Sequence, residues 1–413
     1  MKKYAVAILM LTGFYTFASG QERNLGFYLN KGLTGSPLIK DYANQLNSVA
    51  YDSALVRAVK KPQIDARSTL QYIPVYGQFG YDEIVTDHGN YQGMVGVSQD
   101  IFRGKEIENK IDAINIQRRS LSNATKITSN ELARMITDQY LSSVSAFSDL
   151  SFNRSFLLLL KNENEIVKQL AAKGIYKQTD YLSLLVESQT QEILVRKLKS
   201  EYESSLRQLN IICGINDTSS YELLLPNINF KGEPDITKSP GYLQYGIDSL
   251  RIMNERSAID IRYRPKVSWF ADAGFLSHDL TVFYSHFGYS AGMSLSIPIY
   301  DGNQRSIEKQ KLQIEENTRG NYRDNFMIRY NQQILQLTQE LKSEREITFD
   351  LEKQLSTSDD LLRALKAELE SGLIQMTEYL SAVKNYRIIN KALSDNRIRI
   401  LQIINELNFI INQ

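Results

Sequence analysis

One nine-residue stretch occurs twice in this chain. GIYKQTDYL runs from Gly174 to Leu182 and GLIQMTEYL from Gly372 to Leu380, with Gly, an aliphatic residue, Thr, an acid, Tyr and Leu at matching places. Each copy lies between long, proline-free, amphipathic runs and reads as the tip of a helical hairpin. A second pair of marks fixes the spacing: QDIFRG ends at Gly104 and IPIYDG at Gly302, the same 198 residues apart as Gly174 and Gly372. Two signals of different kinds at one period predict an internal duplication. The expected division is a first repeat over 21–214, a linker over 215–240 and a second repeat over 241–413.

Residues 1–20 are set aside. Lys2 and Lys3 precede an apolar run from Ala5 to Ala18, and Ala18-Ser19-Gly20 has the small-x-small form of a cleavage site, which predicts a secretory signal peptide. Cys213 is the only cysteine, so neither a lipid anchor at a new N-terminus nor an intramolecular disulfide framework is expected. Beyond the leader there is no apolar run of helical membrane-spanning length. A net charge of +1 gives no electrostatic basis for nucleic-acid binding.

The lead segment over 21–61 has a helical spacing of apolar residues (Ala43, Leu46, Val49, Leu55, Val59) and is expected to stop before Pro62. The period then changes to two. Ile64, Ala66, Ser68, Leu70 and Tyr72 alternate with polar partners, a loop with Asp82, Asp87, Gly89 and Asn90 follows, and Tyr91, Gly93, Val95, Val97 and Gln99 return. This predicts a β-hairpin over about 62–102. The second copy places one over about 265–300: helical Leu250 to Ile261, then Val267, Trp269, Ala271, Ala273 and Phe275, returning through Ala291, Met293, Leu295, Ile297 and Ile299. The strands are about ten residues long and rich in aromatics, as a membrane-spanning strand requires. An ordinary soluble hairpin with a half-buried face fits the strands alone equally well.

Neither proline nor glycine occurs between Gly104 and Gly174, so an unbroken helix there would run about 100 Å. Return helices over about 179–212 and 377–412 complete helical hairpins over 104–213 and 302–412, with narrow apolar seams suited to helix–helix packing. Two β-hairpins supply four strands. A spanning sheet has to close, and four strands cannot surround a lumen, so spanning strands imply several identical copies.

The order of leader, helix, Pro-led strand pair, apolar-aromatic-x-Gly turn, long helix, Gly-aliphatic-x-x-x-Thr-acid tip and return helix, performed twice, resembles the TolC-like outer-membrane efflux proteins. The resemblance covers essentially the whole mature chain, and IPIYDG with the two tips carries it most specifically. It implies a mainly α fold with a β membrane portion: a trimer forming a twelve-stranded β-barrel continued by an α-helical barrel. It also implies an exit duct for tripartite efflux pumps or type I secretion, in the outer membrane of a Gram-negative bacterium with its helices in the periplasm. The implied partners are two further copies, a periplasmic adaptor protein, an inner-membrane transporter and outer-membrane lipid. Carried over by position, Gly174, Ile175, Gly372 and Leu373 are the adaptor-docking tips. Thr179, Asp180, Tyr181, Thr377, Glu378 and Tyr379 line the periplasmic entrance, and Gly104 and Gly302 are the strand-to-helix turns. There are departures. Lys105 and Asn303 stand where the family has a second glycine, Asp100 replaces the proline of IPIYDG, and Ser381 stands one turn beyond Glu378 where some members carry another acid.

Asp180 and Glu378 each follow a threonine just after a turn, where an acid also serves as a helix cap. The functional alternative is a ring of carboxylates that favours cations. His88, His278 and His286 fall in or beside the hairpin loops, without recognised metal-ligand spacing. Tyr181 and Tyr379 suit adaptor contact or plain packing, and Cys213 reads as a small buried hydrophobe. With no nucleophile–base pair or phosphate-cradling loop, neither an enzyme nor a cofactor or metal site is expected. The competing reading is a secreted, soluble coiled-coil scaffold without a pore.

Overall fold

The computed structural model describes residues 23–73, 89–101, 103–230, 232 and 235–412. The leader expected over 1–20, the first hairpin loop with Tyr76, Phe79, Tyr81, Asp82, Asp87 and His88, and Phe102, Pro234 and Gln413 lie outside the described residues. Helices α1 (Leu25–Gly35) and α2 (Pro37–Ala58) precede strands β1 (Gln63–Tyr72) and β2 (Gly89–Ile101). Then come α3 (Gly104–Ala172), α4 (Gln178–Ile212), α5 (Pro240–Arg262), β3 (Lys266–Ser277), β4 (Phe287–Ser296), α6 (Gln304–Glu370) and α7 (Met376–Asn412). In each half, helix precedes two strands, a helix of more than sixty residues and a shorter helix. None of the described helices is long and apolar enough to cross a membrane.

Three boundaries depart from the sequence expectation. The first lead helix is two helices, because Ser36 Oγ accepts the Ile39 amide and Pro37 opens a new first turn. The second begins at Pro240 rather than Leu250, with Ser239 Oγ capping the Tyr242 amide at 3.1 Å. Strand β4 stops at Ser296, short of Ile299. Ser296 pairs with Lys266, where β3 begins, so Ile297 to Tyr300 have no strand to pair with.

The chain divides into two compact units, each drawing on both halves of the sequence: Met135–Asn229 and Glu344–Gln402 with the segment up to Gly35, and Ser36–Arg134 with Phe230–Ser343 and Ile403–Gln413.

The second of these contains the sheet, antiparallel in the order β1-β2-β3-β4. Opposed residues in an antiparallel ladder point to the same face, and the register gives the sheet a mostly apolar face and a mixed, more polar one. Ile64 pairs with Val97 and Val97 with Ala271, which pairs with Ala291; Ala66, Val95, Ala273 and Tyr289 form another row. Gln99, Trp269 and Met293 form a third, and Val267 pairs with Leu295. This face is apolar, with the Phe275 and Phe287 rings packed edge to face at 5.3 Å near one end and Trp269 towards the other. The opposite face carries Asp65, Arg67, Gln92, Asp272 and Ser290, with Met94, Phe270 and Leu276 among them. Ile64, Leu70, Tyr72, Tyr289, Met293 and Leu295 are all exposed, and β1 and β4 are the open edges.

Helices follow the strands in the same order. Asn109 on α3 and Asn254 on α5 each donate a side-chain amide to the other's carbonyl, at 2.9 and 3.0 Å. Arg262 and Asp260 of α5 reach Glu308, Arg305 and Lys309 of α6.

In the other unit, the start of the linker is pinned down. Tyr140 donates to the Leu224 carbonyl at 2.8 Å, and Tyr202 to that of Tyr221. Arg23 pairs with Asp217 at 2.5 Å and stacks over the Tyr221 ring at 4.3 Å. Donors from Ser219, followed by Arg23, hold the Asp217 carboxyl down to about 2. Gly32 of α1 packs against Ile136 and Cys213, and burial pushes the Cys213 thiol up to about 11. At pH 7.5 its thiolate fraction is then roughly 300-fold below that of an ordinary thiol. Maleimide labelling of the folded protein is expected to be slower by about that factor, and to reach the normal rate in denaturant. Fast labelling without denaturant would contradict this packing.

Candidate functional site

Gly174 and Gly372 lie in the first unit, just after α3 and α6, and the backbones there close in the same way. After α3, the Gly174 amide bonds to the Ala171 carbonyl and the Ile175 amide to that of Leu170, both at 3.0 Å. After α6, the Gly372 amide bonds to Leu369 at 3.1 Å and the Leu373 amide to Glu368 at 3.0 Å. This is the paired-bond helix ending that needs a left-handed residue just past the last turn, and Gly174 and Gly372 supply it with φ of 76° and 74°.

The two tips also touch. A Cβ on Gly372 would collide with Cγ2 of Ile175, so any other residue there would have to push the Ile175 side chain aside as well as adopt a left-handed φ. Tyr176 donates its hydroxyl to the carbonyls of Leu369, at 3.2 Å, and Ile374, at 3.1 Å. It thus satisfies acceptors on the second tip from the first. Below it Phe156, Leu160, Val167, Leu184, Leu369, Met376, Tyr379 and Val383 form a buried cluster.

The candidate residues divide on exposure. Leu373 is 80% exposed and Ile175 50%, two aliphatic side chains presented to solvent. Thr179, Thr377 and Glu378 are exposed, and Asp180 and Tyr181 are partly buried. Asp180 accepts the Lys177 amide at 3.1 Å and so closes the first turn of α4. The Glu378 side chain makes no hydrogen bond or ion pair among the described residues, its amide alone bonding to the Gln375 carbonyl at 3.1 Å. The two acids, equivalent in sequence, differ in setting: the Asp180 carboxylate is bound to backbone and that of Glu378 is exposed to solvent. Tyr379 lies inside the core, where burial, with the Glu163 and Glu370 carboxylates nearby, pushes its phenol well up. It is a packing residue in this geometry, whereas Tyr181 lies at the edge of the cluster.

Sequence reasoning missed Tyr176, Glu163 and Lys366. Glu163 is fully buried, with Lys366 Nζ 2.7 Å from its Oε1. Its position was legible, since it falls on the apolar seam of Phe156, Leu160 and Val167. Further ion pairs tie α7 to the first hairpin: Lys391 with Asp149 at 2.7 Å and Lys384 with Glu187 at 3.6 Å.

At the strand-to-helix turns, Gly104 opens α3 directly, while Gly302 is left-handed at φ 64°. The Asp301 carboxylate caps the second turn, accepting the Asn303 amide at 2.9 Å and the Arg305 amide at 2.8 Å. His286 Nδ1 lies 3.0 Å from the Val282 carbonyl in the second hairpin loop. Among the described residues, His, Cys, Asp and Glu form no group of three or more placed to hold a metal.

The chain matches no family model and no curated protein sequence. Its fold does match solved structures. A membrane protein from Pseudomonas aeruginosa aligns with a TM-score of 0.77 at 16% identity, covering 95% of this chain and 90% of the other. The outer membrane protein VceC of Vibrio cholerae aligns at 0.75 and 11% identity, covering 94% and 96%. The MtrE outer membrane channel of Neisseria gonorrhoeae, in its open state, aligns at 0.74 and 11%, covering 94% and 89%. At these identities the likeness establishes a shared fold.

Proposed function

We propose that this chain, which carries the TolC-like fold, acts as a passive outer-membrane duct built from three copies. The observation that carries the reading is the two-faced sheet with open edges. Its apolar face, from Val267 to Phe275, runs about 26 Å along the strand, close to the ~25 Å apolar band of a membrane barrel. An open sheet edge is not tolerated in hydrocarbon, so β4 of one copy pairs with β1 of the next. Three copies give twelve strands, with Asp65, Arg67 and Asp272 facing the lumen, and the two halves act as one duplicated unit. The helices extend into the periplasm, where the tips meet an adaptor bound to an inner-membrane transporter. Leu373 and Ile175 are the apolar anchors, because an exposed aliphatic side chain on a rigid turn gains most from burial against a partner helix. Chemistry and cargo selection belong to the transporter.

Of the entrance acids, Glu378 sets ion preference and Asp180 sets helix stability. In planar bilayers, Glu378→Gln is expected to lower cation preference severalfold. Asp180→Ala is expected to leave it within twofold while costing about 1 kcal/mol of stability. Equal effects on selectivity would overturn the division. A protein recovered as a soluble monomer, without conductance, would overturn the duct itself and favour the scaffold.

A further inference from the structure

The junction between sheet and helices holds a cavity of about 390 Å³, lined by Asp100, Ile101, Arg103, Lys105, Glu106, Arg264, Lys266 and Val267 among others. Its acids are already neutralised: Arg103 pairs with Asp100 at 2.6 Å and lies 3.5 Å from Glu106, which Lys110 meets at 2.8 Å. Its remaining cations are not. Lys105, Arg264 and Lys266 are exposed and have no ion pair among the described residues. Lys266 is close enough to Glu106 to help lower that carboxyl, yet the lining sets four cations against two acids, and an excess of positive charge around a concave site draws an anion.

The apolar part of the lining identifies which anion. Ile101 and Val267 are opposed residues in the last row of the apolar face. A free phosphate gains nothing from that lining, whereas an amphiphile gains from both halves of the site. The site lies between β2 and β3, the inner strands, so a second copy adding to the edge strands does not cover it. Resting on the membrane reading above, we propose that this junction binds an anionic phospholipid of the inner leaflet. Its phosphate sits between Lys105 and Arg264, and an acyl chain runs up the apolar face from Ile101 and Val267; Lys266, which pairs with Ser296, belongs to the opposite face of the sheet.

The test titrates the intact assembly, in neutral detergent, with dioleoyl phosphatidylglycerol, and in parallel with dioleoyl phosphatidylcholine. Bound lipid is read by native mass spectrometry. Phosphatidylglycerol is expected to bind at least tenfold more tightly. Each neutralised cation should weaken it about fivefold, so the double variant Lys105→Gln, Arg264→Gln loses about 25-fold. Lys105→Gln alone, with its fivefold loss, covers the case in which the double variant does not assemble. Equal binding of the two lipids, or an unchanged affinity in the variants, overturns the proposal. Displacement of the lipid by millimolar sodium phosphate also overturns it, by assigning the site to the free anion. Conductance of the same preparations separates the two readings: channels without lipid preference sink only this site, and absence of channels sinks the duct.

Discussion

Gly274→Ala is expected to abolish the assembled, membrane-inserted form that the proposed duct requires, whereas Gly288→Ala is expected to leave it intact. The two glycines are opposed in one ladder row, so the comparison holds depth and strand pairing constant. Only their surroundings differ. A Cβ on Gly274 would collide with the Gly93 carbonyl oxygen and stand 2.6 Å from Met94 Cα, both backbone atoms of β2. At Gly288 nothing lies within 4 Å. A side-chain tip could move aside, but backbone can yield only by parting β2 from β3. The cost is at least about 3 kcal/mol, overpacking plus weakened ladder bonds, in the strand pair that joins the two hairpins. Unheated gel electrophoresis of the outer-membrane fraction reads the result. Equal yields of assembled protein from both variants would mean that β2 and β3 do not lie at this separation in the functional form.

The sheet was legible because its signal is local and doubled. Alternation from Ile64 to Tyr72 and from Val267 to Phe275 gives each strand two unlike faces, and a register slip of one residue would have mixed them. The helical hairpins were legible for a similar reason: a left-handed glycine ends each long proline-free run. Element starts were harder to read. The break at Ser36-Pro37 depends on a hydroxyl reaching an amide three residues on, and the start of α5 on Ser239 doing the same, before any apolar period is visible.

The tips show where reading by repeat stops. Matching positions Tyr176 and Ile374 are a hydrogen-bond donor in one copy and its acceptor in the other, so the lock between tips exists because the copies differ. The pairs Asp180 with Glu378 and Tyr181 with Tyr379 diverge likewise. Packing of one tip on the other decides which tyrosine is swallowed by the core, and neither stretch contains that information alone. A repeat fixes the backbone of both tips. Their surfaces are set by the asymmetry between them.

Lys366→Met is expected to loosen the tips far more than Glu163→Gln, although the two residues form one ion pair. Glu163 is fully buried, and Lys366 keeps 39% of its side chain exposed. Removing the lysine strands a carboxylate in the apolar cluster beside Tyr379. Removing the carboxylate's charge leaves an ammonium that turns to water. Breaking a buried pair from the solvated side costs about 3 kcal/mol, at the low end for such pairs because solvent reaches one partner, against ~1 kcal/mol for the neutral replacement. The Glu163 carboxylate holds the Lys366 ammonium above its usual range. A raised folded value means that this stabilisation is complete below the ordinary lysine pKa and is lost as pH rises through the higher one, so it is present throughout the neutral range. Amide hydrogen exchange over Gly174–Leu184 and Gly372–Val383 reads the opening locally. Exchange in Lys366→Met is expected to be roughly 150-fold faster than in the parent, and the double variant Glu163→Gln, Lys366→Met is expected to recover most of that loss. If the double variant opened as readily as Lys366→Met alone, the stranded charge would not be the cause, and the lysine stem's own packing would be what holds the tips.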